Sequence, residues 1–147
     1  MLWQYARQDV VKNFFPLPNE IFSLGLSSGE LAVYSYLLFC ENRKTYQCWP
    51  SYRAIGQAVH MSVNTVRKYV AALEENGLIV TEPTSVITKD GRKRNGSLLY
   101  TILPIQNAVN LFHERQMDQL DAAAARRQAV KALRNFEQRQ SEREYPA

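Results

Sequence analysis

The chain has little of what reactive or metal-binding centres are made from. Two cysteines, Cys40 and Cys48, and two histidines, His60 and His113, are present among 147 residues. These four side chains do not fall in the paired spacing of a tetrahedral zinc site, and a disulfide between Cys40 and Cys48 would need to close only a short loop. Under reducing conditions they are expected to stay free and partly buried. No glycine-rich phosphate loop occurs and no Ser, His and Asp grouping marks a nucleophile, so neither an enzyme nor a cofactor is expected. No apolar run is long enough to span a bilayer and no leader pattern opens the chain, which predicts a cytoplasmic protein without a membrane partner. Charge of one sign is also scarce, with a net of +4, but it is unevenly placed. Residues 1–50 carry four basic and four acidic side chains, residues 51–103 seven and four, and residues 104–147 seven and six. Most of the positive excess therefore lies in the middle of the chain, as a phosphate-binding surface would place it. A chain of this length that is 46% hydrophobic can bury one modest core with extensions rather than two independent domains.

What is present is a helical corner. From Ile55 to Ile79 the sequence reads as a helix, a three-residue turn and a second helix, with apolar residues at Ile55, Val59, Met61, Val66, Tyr69, Val70 and Leu73. Ser62 stands where its side-chain oxygen caps a helix beginning at Val63, and Gly77 where a left-handed residue ends that helix after Asn76. Turning about 100 degrees per residue from Val66 keeps Tyr69, Val70 and Leu73 on the inward face. Asn64, Lys68, Ala71 and Glu75 fall opposite, with Thr65 and Arg67 on the flanks. Asn can pair with adenine through two atoms, Arg or Lys with guanine, and Ser or Thr at a helix start can hold a phosphate. Glu75, at the far end, is expected to point away from phosphates.

Ahead of this corner, the first 25 residues hold Trp3, Tyr5, Phe14, Phe15 and Phe22, interrupted by Pro16 and Pro18. The aromatics predict an arm anchored on the core, with a short strand over Val10 to Phe15 and Asn19 capping a turn before Ile21. Ser27 and Glu30 form a capping box for a helix whose face runs through Leu31, Tyr34, Leu37 and Leu38 to about Cys40. Glu41 to Gln47 reads as a polar loop. Pro50 and Ser51 open the next helix, with Ser51, Tyr52 and Arg53 as candidate phosphate contacts in its first turn.

After Gly77 the pattern turns extended. Leu78 to Val80, Val86 to Thr88 and Leu98 to Ile102 read as strands, while Lys89-Asp90-Gly91 and Asn95-Gly96 are turn signals. The long tip, residues 89–96, carries Lys89, Arg92, Lys93 and Arg94, suited to a phosphate backbone or a minor groove. From Pro104 onward glycine is absent and Ala, Arg, Gln, Glu and Leu dominate, which predicts a helix of about 35 residues, or about 50 Å, fraying past Gln140. Its apolar seam, Val109, Phe112, Ala123, Val130 and Leu133, is interrupted by Gln116, Gln119 and Arg126. Self-association and docking to another protein both fit such a helix.

The order Ile-x-x-x-Val-x-Met-Ser-x-x-Thr-Val-x-x-x-Val, from Ile55 to Val70, resembles the winged helix-turn-helix DNA-binding family, especially members encoded on bacterial plasmids and integrative mobile elements. The likeness spans Pro16 to Ile102 and includes Leu-Ser-x-x-Glu at Leu26–Glu30 and Trp-Pro-Ser at Trp49–Ser51. Leu17 and Pro18 are also similar to the segment that precedes the winged domain of plasmid replication initiators. One departure is His60, in the turn position that the family usually gives to glycine. Histidine tolerates positive φ, so the turn is expected to survive with some strain.

The resemblance implies a mostly helical α+β fold: a winged helix-turn-helix with a two- or three-stranded antiparallel wing sheet and a long C-terminal helix. Residues 1–25 would form the arm, 26–103 the DNA-binding domain and 104–147 a helix for oligomerisation or partner docking. The function it implies is sequence-specific binding of double-stranded DNA as a transcriptional regulator. Ser51, Tyr52, Arg53, Ser62, Asn64, Thr65, Arg67, Lys68, Lys89, Arg92, Lys93 and Arg94 are the expected DNA contacts. A homodimer through the C-terminal helix and a protein partner are both candidate assemblies, and no small-molecule ligand is expected. Two alternatives stay open: a replication initiator or accessory factor of a mobile element, and a winged-helix protein-interaction module that does not bind DNA.

Overall fold

The computed structural model describes residues 14–144. Trp3, Tyr5 and most of the strand expected over Val10 to Phe15 lie outside the described residues. Phe14 and Phe15 are not in a strand. The ring of Phe15 meets that of Phe39 edge-on, with centroids 6.0 Å apart. A short 3-10 helix, Asn19–Ser23, follows, and its start differs from the Asn19 cap expected from the sequence. Pro18 occupies the cap position, no side chain caps the helix, and Asn19 is its first residue rather than its cap. Anchoring passes instead through Ile21 and Leu24, which are buried while Phe14 and Phe22 stay exposed.

Helix α1, Ser28–Cys40, starts as its side chains dictate. The Ser27 hydroxyl accepts from the Glu30 amide and the Glu30 carboxylate accepts from the Ser27 amide, so two otherwise orphaned donors are satisfied reciprocally. Val33, Tyr34, Leu37 and Leu38 form its buried face. The loop after α1 is shorter than expected, because Gln47 already belongs to strand β1, Gln47–Cys48. The Lys44 amide donates to the Asn42 side chain and the Tyr46 amide to the Asn42 carbonyl, while Tyr46 takes a left-handed φ of 58°. This turn reverses the chain and delivers β1 to its partner strand.

Helix α2, Tyr52–Val59, is capped by Ser51, and helix α3, Val63–Glu75, by Ser62. His60, Met61 and Ser62 form the turn between them. His60 adopts φ 57° and ψ 51°, the left-handed conformation expected of it. The corner also depends on Gly56, whose carbonyl accepts from the Met61 amide at 2.9 Å. A Cβ on Gly56 would lie 2.5 Å from the Met61 carbonyl oxygen, so no other residue lets the two segments close this tightly. At the other end of α3, Gly77 has φ 76° and the Leu78 amide donates to the Leu73 carbonyl, which ends the helix and turns the chain into the sheet.

Strands β2, Ile79–Glu82, and β5, Leu99–Ile102, pair antiparallel from Ile79 opposite Ile102 to Glu82 opposite Leu99. On its other edge β5 takes β1, with Gln47 opposite Thr101 and Cys48 opposite Tyr100. The main sheet thus has three strands, in the order β1-β5-β2. A separate hairpin extends from it: β3, Ser85–Ile87, against β4, Lys93–Asn95. The turn expected at Asn95-Gly96 is therefore not one, because Asn95 is a strand residue opposite Ser85. Gly96 follows it and donates its amide to the Thr84 carbonyl at 2.8 Å, closing the base of the hairpin.

The core lies where α1, α2 and α3 meet the three-stranded sheet. Val33, Leu37, Ile55, Val66, Leu73 and Tyr100 are fully buried there, joined by Leu78 and Ile79. Cys48 is also in this core, its thiol directed to the Leu37 carbonyl, and burial pushes its pKa up to about 12. Cys40 is partly exposed, and the two thiols are free. The last helix, α4, spans Ile105–Glu144, or about 60 Å at helical rise. It continues past Gln140 in helical form, contrary to the fraying expected there. The chain divides into two compact units at Val109 and Asn110. In the second unit every described residue from His113 onward is exposed except the half-buried Ala123. No helix among the described residues is long and apolar enough to cross a membrane.

Candidate nucleic-acid interface

Helix α3 is fixed by its inward face. Val66, Val70 and Leu73 are buried, while Tyr69 is half-buried and lays its ring on α1. The contact with α1 requires Gly29, since a Cβ at that position would fall 2.3 Å from the Tyr69 ring. With those four side chains anchored, helical geometry turns Asn64, Arg67, Lys68, Ala71 and Glu75 to the surface, and all five are exposed. The polar face predicted from the periodicity is the face the fold leaves open.

Several of the expected contacts have local partners that refine their roles. The Ser62 hydroxyl accepts from the Thr65 amide at 3.2 Å and shares a hydrogen bond with the Thr65 hydroxyl at 2.8 Å. Ser62 and Thr65 thus form the cap together, and Thr65 is half-buried rather than projecting freely. Ser51 caps α2 in the same way, accepting from the Ala54 amide at 3.0 Å. Tyr52 is half-buried and serves as a platform: the Arg67 guanidinium carbon sits 5.5 Å from its ring centroid. A cation held over an aromatic face is attracted by the ring quadrupole, which limits the directions that Arg67 can take. Lys68 leans over the Tyr69 ring, its Nζ 5.9 Å from the centroid. Arg53 is exposed in the first turn of α2.

The wing residues occupy a different element. Lys89 and Arg92 flank the turn at Gly91, where the Gly91 amide donates to the Thr88 carbonyl and the Thr88 amide to the Arg92 carbonyl. Lys93 and Arg94 lie in β4 opposite Ile87 and Val86, so the basic stretch is half turn and half strand rather than a single loop. All four cations are exposed. Successive strand residues point to opposite faces, so Lys93 and Arg94 present charge on the two sides of the hairpin.

Two features of the site escaped the sequence. Val63, the first residue of α3, is 41% exposed and offers methyl groups beside Asn64. Glu74 ties the helix to the sheet: one carboxylate oxygen accepts from both the amide and the hydroxyl of Thr81, each at 3.0 Å. Nothing local marks Glu74 for this role, because its partner lies seven residues away across the helix end.

The fold is a winged helix-turn-helix. Residues 24–79, from the end of the 3-10 helix to the start of β2, match the family described as helix-turn-helix domain. No curated protein matches the chain. Similar solved structures include a possible transcriptional regulator from Methanosarcina mazei Go1, 19% identical, covering 85% of this chain and 86% of that one, with a TM-score of 0.48. The zinc-responsive MarR family member ZitR of Lactococcus lactis is 15% identical, with coverage of 98% and 95% and a TM-score of 0.40. MepR of S. aureus in its DNA complex is 13% identical, with coverage of 92% and 95% and a TM-score of 0.37.

Proposed function

We propose that the chain is a sequence-specific double-stranded DNA-binding protein that acts as a transcriptional regulator, with α3 in a major groove and the β3–β4 hairpin on the adjoining backbone or minor groove. The observation that carries this reading is the exposed face of α3. It sets Asn64, Arg67 and Lys68 outward on a helix held by three buried residues and preceded by a tight corner. Asn64 suits an adenine edge, Arg67 and Lys68 suit guanine, and Val63 suits a thymine methyl group. Ser51, Arg53, Ser62 and Thr65 stand at the starts of α2 and α3, where free amides and hydroxyls hold phosphates and fix register. Tyr52 acts by orienting Arg67. Lys89, Arg92, Lys93 and Arg94 supply charge without sequence preference. The helix beyond Asn110 is the place for a second copy or a protein partner.

A titration of binding against salt tests the proposal. With about six phosphates neutralised per protomer, the logarithm of affinity falls against log salt with a slope near −5. A slope near zero on every duplex would leave a winged fold that serves protein contacts alone. Selection of bound sequences from a random duplex pool then separates two DNA-binding roles. Enrichment of a single operator-like site supports regulation, whereas binding to the repeats of a replication origin with a partner held by the C-terminal helix supports an initiator or accessory factor of a mobile element.

A further inference from the structure

We propose that α4 pairs with the α4 of a second copy of the chain in antiparallel orientation, crossing at Ala124. The inference stands apart from the DNA reading and rests on how charge is divided along an exposed helix. Between Asn110 and Asp121 the helix carries Glu114, Asp118 and Asp121 against a single Arg115. Between Ala122 and Arg134 it carries Arg126, Arg127, Lys131 and Arg134 with no acidic residue at all. The boundary is the run Ala122 to Ala125. Asp121 has Met117, Asp118, Ala124 and Ala125 at the positions three and four residues away, and Arg127 has Ala123, Ala124, Val130 and Lys131. Neither meets an opposite charge within its own helix, and each meets a like charge, which is mildly destabilising in isolation.

An antiparallel copy removes that conflict and a parallel copy worsens it. With Ala124 opposite Ala124, each residue faces the one equally far beyond the crossing point in the other copy. Asp121 then faces Arg127 and Glu114 faces Arg134, twice each by symmetry, whereas a parallel pair would set acid against acid and base against base. Taking Ala124 as the centre of the contact and turning about 100 degrees per residue places His113, Met117, Leu120, Gln128 and Lys131 on the same stripe. Asp121 and Arg127 then border the stripe. Met117 and Leu120 are 58% and 60% exposed in the single chain, so this stripe has apolar surface to bury. Alanines at the crossing let the two helix axes approach closely at the point where no charge is needed. The self-complementary surface is that of a two-fold dimer, in which the same patch serves both copies.

Sedimentation of the full chain and three variants tests the pairing. The unmodified chain is expected to reach a dimer at tens of micromolar. Asp121→Arg and Arg127→Asp each place like charges face to face at two symmetric positions, and each should weaken dimerisation about tenfold. The combined reversal, Asp121→Arg with Arg127→Asp, should restore it, because the signs are again complementary. These positions are exposed, so folding of the body is not at stake. A chain that stays monomeric at 100 micromolar, a dimer indifferent to the single reversals, or single losses that the double reversal fails to rescue would each overturn the proposal. Capture of a different protein by α4 without self-association would also overturn it.

Discussion

Helix α3 and the β3–β4 hairpin both present positive charge, yet they are held in opposite ways. Val66, Val70 and Leu73 lock α3 into the core, a capped turn fixes its start and Glu74 fixes its end. In the hairpin every strand residue is exposed, including Val86 and Ile87, and the connection is three residue pairs with a few bonds at base and tip. The difference fits what the proposed function asks of each part. Reading a base edge demands placement of donors within hydrogen-bond reach, so a helix proposed to read must inherit the stiffness of the core. Neutralising phosphates demands only charge nearby, and a hairpin without a core of its own suffices.

The comparison breaks most plainly at Leu73. Leu73→Ala opens a cavity under α3 and should cost about 2–5 kcal/mol in urea unfolding, whereas Ile87→Ala should change stability by no more than about 0.5 kcal/mol. Comparable losses at both sites would mean that the hairpin has support the structure does not show. Arg67→Ala comes next: competition binding should show a loss of about 1–3 kcal/mol on the preferred site and a relaxed preference at one base position. Arg92→Ala should weaken all duplexes alike and reduce the salt slope by about 1; a change in base preference would transfer reading to the wing. The smallest effect concerns the thiols. Cys40 should react with a thiol reagent in the native chain and Cys48 only on unfolding. The unfolded Cys48 thiol ionises at its ordinary value while the folded one keeps its proton to about 12. The native state therefore loses stability as pH rises through that window and not below it. Cys48→Ala should flatten part of that fall in melting temperature.

Much of this was legible because it is local. The Ser27 and Glu30 box, the Ser62 cap and the left-handed Gly77 are each decided within a few residues, and the sequence pattern and the structure agree on them. The outward set on α3 follows from helical rotation alone. What could not be read depends on partners far along the chain. Gln47–Cys48 is a strand because β5 offers it a free edge more than fifty residues later, with Gln47 donating to the Thr101 hydroxyl as well. Lys93–Asn95 reads as a polar tip, yet register with Ser85–Ile87 makes it a strand. Arg67 over Tyr52, and Tyr69 against Gly29, join helices whose mutual placement no periodicity reveals. Asn19 is a good cap residue set one position too late, because Pro18 already supplies the turn.

Only Asn76, Gly77 and Leu78 separate the end of α3 from the first strand of the wing, and the Glu74 to Thr81 bonds bridge that short span. Helix and hairpin base therefore cannot slide independently. They behave like the two jaws of a caliper set to one opening. Under the proposed function, a duplex whose groove and neighbouring strand match that opening would be gripped at both points, while one with altered helical geometry, such as an A-form RNA duplex, would meet one jaw and miss the other.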